Sequence, residues 1–470
     1  MNKILRQTYS GLRITADCAD CAIPAAFDSH SSCSFLCLYC FSNGAMRAVD
    51  RNIFKQEYFR KHPNAYPQDE WNFDEFKKFI EQGYKTGRSR LRTAASYLVH
   101  DLKQPIQFGS LGEPFDEAEY ITGWALDAIP LLKKHGIPIR ISTKGADVLL
   151  EDKYLKAFKG AKNIWVNFSI ISPEDSICKK IEIKVPSPTK RFEAMKALAD
   201  EGVGVGLRYR PIIPALAEKK IGSQPAWKIM IDKAVESGAK CISYEIIFLD
   251  QKANKRQRKF YKAMSKVVGF PDFPFYWKYY SIRNQVCFRA CRKIKEDLML
   301  KIRDYAKSQD LSIGVSDPHF KELSDSALCC GIPVEGKNAN KYFGNYSRGN
   351  MTEIVVKGRK AFEEHGDNLQ FSFTDWAPEW WKEIRLRDMA CLGDIVKYTL
   401  SKTREFQSWY DAQRNKWNSP SHFRSPYYYF EGILHPIGIN KDKDVIYEYR
   451  DWKSQVWKKQ TTLKDFEFKI

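Results

Sequence analysis

Between residues 23 and 250, six short apolar or β-branched runs alternate with longer stretches of helical periodicity. The runs are IPAAFDSH (23–30), IQFGSLG (106–112), IPIRISTKG (137–145), NIWVNFSII (163–171), VGVGLRYRPIIP (203–214) and CISYEIIFL (241–249). Strands spaced this way cannot close as hairpins. Each needs a helical crossover to the next, so the pattern predicts βαβ units, a parallel sheet and a partial or complete barrel. One helix start is explicit: Ser187 can cap, Pro188 fits the first helical position, and Arg191 to Leu198 keep helical spacing until Gly202.

In parallel α/β barrels the functional groups collect at the carboxyl ends of the strands, where the following loops are free to vary. Polar residues stand at those ends here. Asp28 and His30 end the first run, Gly112 and Glu113 follow the second, and Ser142 and Lys144 end the third. Asn167 and Ser169 lie late in the fourth, and Arg208 and Arg210 late in the fifth. Any one of them alone reads equally well as a cap or a solvated side chain. Their repeated placement points to one shared site.

The first of these loops carries SSCSFLCLYCFSN (31–43), which spaces Cys33, Cys37 and Cys40 as Cys-x3-Cys-x2-Cys with Tyr39 before the last. Three thiolates from one loop can hold three irons of a [4Fe-4S] cubane and leave the fourth iron open. The competing reading is a structural zinc site, which fills all four positions with protein and would take His30 as its fourth ligand. The N-terminus has no apolar run of signal-peptide length, and nowhere do about 18 apolar residues follow one another. The chain therefore reads as soluble and cytoplasmic, without membrane contact. In that compartment twelve cysteines suggest metal binding rather than a disulfide framework.

The cysteine loop, placed directly after a first strand, resembles the motif of the radical S-adenosylmethionine (SAM) superfamily. The resemblance implies a partial (βα)6 TIM-like barrel, a [4Fe-4S] cluster on Cys33, Cys37 and Cys40, and SAM on the open iron. An electron from the reduced cluster would break the sulfonium C–S bond and leave a 5′-deoxyadenosyl radical, and a donor such as flavodoxin or ferredoxin would supply it. GSLGEPFD (109–116) is similar to the glycine-glutamate motif that meets the SAM amino group, through Gly112 and Glu113. A narrower likeness, to the DNA repair photolyase group that includes spore photoproduct lyase, rests on RISTKGADVLLED (140–152) and IEIKVPSPTKRFEAMKALADEGVGVGLRYRPIIPAL (181–216). It implies that Lys144 pairs with the SAM carboxylate and Ser142 helps seat it, with Tyr39 beside the cofactor and Ser169 and Arg208 on the adenosine side. Spore photoproduct lyases carry a further cysteine after the cluster, whereas this chain has none between Cys40 and Cys178. The thymine dimer of spores is therefore not the expected substrate.

A formal charge of +19 favours polyanions, which makes nucleic acid or a nucleotide the expected substrate. A basic surface serving only solubility, with a protein or small metabolite as substrate, is the alternative. KANKRQRKFYK (252–262) joins six basic residues to Phe260 and Tyr261, which suits phosphate contact with base stacking or, equally, a solvated helix face. Cys18, Cys21, Cys329 and Cys330 could assemble a second metal site, with the pair Cys287 and Cys291, one helical turn apart, as the other source of thiols. Buried free thiols are the simpler reading. In SDPHFKEL (316–323), Asp317 and His319 could reach the barrel mouth, His319 being the candidate catalytic group. The chain divides into an N-terminal segment (1–22), a barrel (23–320) and an aromatic, tryptophan-rich extension (321–470) expected to pack against the mouth, its aromatics serving as core or as base-stacking platforms.

Overall fold

The computed structural model of the protein describes residues 2–9, 13–14, 23, 25–30, 33–40, 65–71, 73–82, 97–110, 112–250, 255–268, 279–280, 287–290, 292–327, 329–344, 351–377, 409–422, 425–430 and 432–454. Seven parallel strands form its centre: β1 (Ala25–Phe27), β2 (Ile106–Phe108), β3 (Ile139–Thr143), β4 (Ile164–Ser169), β5 (Gly204–Ile212), β6 (Cys241–Ile246) and β7 (Ser312–Val315). They lie side by side in sequence order, with Arg13–Ile14 added antiparallel to β1. Sequential order with every neighbour parallel is the winding of a TIM-like barrel. The six expected strands are present. The seventh, β7, follows a long insertion, so it falls outside the regular spacing that revealed the others.

The strands alternate strictly. Ile139 and Ile141 of β3, Ile164, Val166 and Phe168 of β4, and Val205, Leu207 and Tyr209 of β5 face outward into one apolar core. That core is completed by helices α1 (Trp124–Lys134), α2 (Asp175–Ile181), α3 (Pro188–Asp200), α4 (Ala226–Glu236), α5 (Lys255–Val268) and α6 (Arg292–Ser308). Each aliphatic side chain buried there contributes roughly 1.5–3 kcal/mol. Helix α3 starts as the sequence predicts, Ser187 Oγ accepting the Lys190 amide at 3.3 Å with Pro188 next. The intervening residues point into the barrel and are mostly polar: Arg140, Ser142, Asn167, Ser169, Arg208, Ser243 and Glu245.

An interior this polar needs partners, and part of it is satisfied by a segment far away in sequence. Residues 329–331 lie inside the barrel as a floor, where the Cys329 carbonyl accepts from Ser243 and Ser316 at 2.7 and 2.6 Å. The Cys330 carbonyl accepts from Arg140 Nε and Asn167 Nδ2 at 3.1 and 3.0 Å. The expected extension thus begins as part of the barrel. Further on, helix α7 (Thr352–His365) and the antiparallel strands Gln370–Phe371, Val445–Tyr449 and Leu434–Ile439 enclose a second apolar cluster. Trp417 is fully buried there, stacked on Trp376 at 5.1 Å between ring centres, its indole N–H donating to the Val445 carbonyl at 2.7 Å. Trp417 is a core residue and half-buried Trp376 packs against it; Trp380, Trp381 and Trp457 lie outside the described residues.

Candidate active site

Three buried carboxylates at the carboxyl ends of the strands shape the loops around the cysteines. Asp28, one residue past β1, accepts the Ser110 and Gly112 amides at 2.7 and 3.1 Å, which fixes the turn after β2. Asp116 accepts the Ser34 amide at 2.7 Å and the Ala118 amide at 3.0 Å, tying that turn back to the cysteine loop. Glu113 accepts Thr143 Oγ1 at 2.6 Å and the Lys144 amide at 2.9 Å, so it braces the end of β3. Burial pushes its carboxyl up to about 7, against the pull of those hydrogen bonds. Gly145 permits the brace: a Cβ there would stand 2.1 Å from the Phe115 carbonyl oxygen.

The cysteine loop is held from its other side by the turn after α2. Cys37 pairs with Glu182 as an antiparallel bridge, and the Leu38 amide donates to the Ile181 carbonyl at 3.0 Å. Below the loop, the Tyr39 hydroxyl donates to Glu182 Oε1, and Arg191 Nη2 meets Glu182 Oε2 at 2.5 Å. Arg191 Nη1 also donates to the Ser169 carbonyl at 2.6 Å, so one fully buried arginine joins the cysteine loop to the end of β4. Lys144 Nζ lies 5.6 Å from the centre of the Tyr39 ring. Glu182 and Arg191 stand in the sequence only within the family-like stretch 181–216 and the helical spacing of α3, with no mark of a shared site. Their pairing follows from α2 and α3 folding back on the barrel, which spacing alone does not reveal.

One cavity opens where these elements meet. Its wall includes Cys33, Cys37, Tyr39 and Cys40 from the loop, Gly112 and Glu113, Ser142 and Lys144, and Ser169 and Arg208. All ten residues expected to hold cluster or cofactor therefore line a single space. Ser142 Oγ is buried with no hydrogen-bond partner, and Lys144 reaches the same wall, so a hydroxyl and an ammonium face the cavity together. Three thiols and these two donors suit an iron-sulfur cluster carrying an amino-acid ligand. Burial lifts the Cys37 thiol to about 12, with the Lys144 charge pulling it down, and burial beside Asp116 raises Cys33 as well. Metal binding would therefore release protons. Among the described residues, no three His, Cys, Asp or Glu side chains are gathered tightly enough to hold a single metal ion.

The other candidate residues lie off this cavity or outside the described residues. His30, proposed as the fourth ligand of a zinc site, turns away from the loop: its ring nitrogens meet Ser29 Oγ at 3.0 Å and Thr122 Oγ1 at 2.8 Å, and it stacks on Trp124. His319 is buried in the turn Pro318–Leu323, off the cavity wall, and its carbonyl accepts from Arg292. Asp317 pairs with Lys295 at 2.6 Å rather than reaching the mouth. Cys287 opens a strand, Cys287–Ala290, and not a helical turn. Cys329 and Cys330 are buried with their sulfurs 4.0 Å apart, while Cys18 and Cys21 lie outside the described residues. Of the basic run, residues 255–262 open helix α5, and Tyr261 packs inward against the core rather than outward for stacking.

A family model of the radical SAM superfamily matches residues 29–214. No curated protein matches the chain. Similar solved structures include a mutant of spore photoproduct lyase, at 12% identity and a TM-score of 0.44, covering 67% of this chain and 81% of that one. Spore photoproduct lyase complexed with dinucleoside spore photoproduct is similar at 13% identity and a TM-score of 0.43, with the same coverage of 67% and 81%. SuiB of Streptococcus suis bound to S-adenosylmethionine is similar at 9% identity and a TM-score of 0.35, covering 62% and 49%. Residues 29–214, the part of the chain that matches the radical SAM superfamily, hold the cysteine loop and four of the other strand ends that line the cavity.

Proposed function

We propose that this protein abstracts a hydrogen atom from a base or sugar carbon of a nucleic acid or nucleotide, in a modification or repair reaction. The observation that carries the proposal is the single cavity at the strand ends, where the three cysteines face Ser142, Lys144, Ser169 and Arg208. In this reading Cys33, Cys37 and Cys40 hold the [4Fe-4S] cluster, and Tyr39, Gly112, Glu113, Ser142, Lys144, Ser169 and Arg208 form the SAM pocket. Cluster and SAM together supply a carbon-centred radical. The chain supplies orientation. Lys144 Nζ and Ser142 Oγ donate to the SAM carboxylate, Glu113 keeps the end of β3 in place, and the Tyr39–Glu182–Arg191 tie keeps the cysteine loop against β4.

The substrate class follows from charge. The formal charge is +19, and Lys179, Lys180, Lys262 and Lys266 are exposed on the neighbouring helices α2 and α5, of which α2 leads into the turn that pairs with the cysteine loop. A one-electron donor such as flavodoxin or ferredoxin completes the system. The test is anaerobic turnover on pooled DNA and RNA with mass spectrometry of the digested nucleosides, alongside binding at increasing salt. A SAM-dependent mass change in a nucleoside and a steep fall of affinity with salt are expected. Unchanged nucleosides with a flat salt response would transfer the reading to a protein or small-metabolite substrate.

A further inference from the structure

The cavity wall that continues beyond Ser169 contains more positive charge than the SAM pocket requires. Arg208 and Arg210 are two residues apart on β5 and so share its interior face. Arg140, buried on the interior face of β3, stands behind them with its Nε on the Cys330 carbonyl. Glu245 accepts Arg210 Nε at 3.0 Å and is also the carboxylate that acts on Arg208. Among the described residues, the two guanidinium groups of this wall thus face one carboxylate. Arg208 donates Nη1 to Ser169 Oγ at 3.2 Å, a neutral acceptor, and its Nε is buried without a partner.

Such an excess is costly unless an anion enters, because a buried charge without its counter-charge has given up its hydration with nothing in return. Burial, with Arg210 and Arg140 alongside, holds the Arg208 guanidinium well below its ordinary range. Arg210, Glu245 and the neighbouring Phe248 all line the cavity, on the side away from Lys144 and Ser142. A planar guanidinium presents paired N–H donors that match two oxygens of a phosphate.

We propose that the Arg208–Arg210 wall, gated by Glu245, is a phosphate subsite that takes the backbone phosphodiester next to the reacting nucleotide. This rests on the nucleic-acid reading above and adds the group that positions the substrate. Glu245 sets its strength: while it holds Arg210, it withholds part of the charge from the ligand.

The two sides of that pair give opposite predictions. The holoenzyme, reconstituted anaerobically with SAM and without reductant, is titrated with a fluorescent dinucleotide carrying one phosphodiester, and with the same dinucleotide carrying a neutral methylphosphonate. The phosphodiester should bind at least about tenfold tighter, a charge-assisted contact being worth that much. Glu245→Gln frees Arg210 and should raise this preference several-fold. The double variant Arg210→Gln with Glu245→Gln removes the pair without stranding a buried charge, leaves Arg208, and should lower the preference several-fold, with circular dichroism confirming the fold. Equal affinity for both probes in the wild type would overturn the phosphate subsite and leave the nucleic-acid reading standing. Binding of neither probe, even at low salt, would overturn both. A preference undiminished in the double variant, or a variant that weakens SAM while leaving the dinucleotide unaffected, would assign the arginines to another ligand.

Discussion

At the scale of single residues, the proposed cluster ligands and the proposed SAM contacts should separate under mutation. Cys37→Ala removes one of three thiolates and should abolish the intact cluster and all SAM cleavage, while the barrel core, which lies on the outer face of the strands, keeps its fold. Lys144→Ala removes the proposed charge-assisted contact to SAM, of a kind worth roughly 1.5–3 kcal/mol. The cluster's absorption should survive while SAM affinity, measured by equilibrium dialysis, falls roughly tenfold to a hundredfold. Unchanged affinity would show that the end of β3 does not contact SAM. A third class of residue holds neither. Glu182→Ala leaves Arg191 charged and buried, which should cost about 3–5 kcal/mol, read as a shift in the urea midpoint. Tyr39→Phe, which keeps the ion pair and loses one hydrogen bond, should cost only about 1 kcal/mol. Equal losses in the two would contradict the geometry drawn for the loop.

At the scale of elements, local patterning carried much of the architecture, and its failures have physical causes. Period-two alternation in β3, β4 and β5 is legible because one face meets helices and the other a polar interior. The floor at 329–331 is not legible, because its partners Arg140, Asn167 and Ser243 lie from 86 to 190 residues away and are satisfied through backbone carbonyls that any sequence possesses. The start of α1 is another case. Gly123 caps it with no side chain, and Glu119 substitutes from the preceding turn, accepting the Ala125 and Leu126 amides at 2.9 Å each. Burial pushes the Glu119 carboxyl up to about 7. The folded state then retains a proton that the unfolded chain releases near the ordinary carboxylate value, so stability should fall as pH rises from about 4.5 to 7 and level off above. The effect is on the order of 3 kcal/mol. Urea midpoints of cluster-free protein across this window should drop in the wild type and drop less in Glu119→Gln. Parallel curves would remove Glu119 as the cause.

At the scale of the whole molecule, seven strands with a polar interior form a vessel with a closed floor and a mouth ringed by cysteines, basic side chains and carboxylates that brace its loops. Placement at strand ends was readable because the barrel repeats the same geometry at every strand, and each polar residue named there reinforced the next. The Arg191 tie and the Arg210–Glu245 pair were not readable, since both join elements whose approach depends on packing of the entire sheet. Function then rests on one claim, that the mouth holds a cluster able to cleave SAM. Anaerobic reconstitution with iron and sulfide, followed by dithionite and SAM, tests it directly. The account predicts cluster absorption and release of 5′-deoxyadenosine by the wild type, with neither in Cys37→Ala. A protein that takes up iron and sulfide yet never cleaves SAM, even with nucleic acid present, would contradict it.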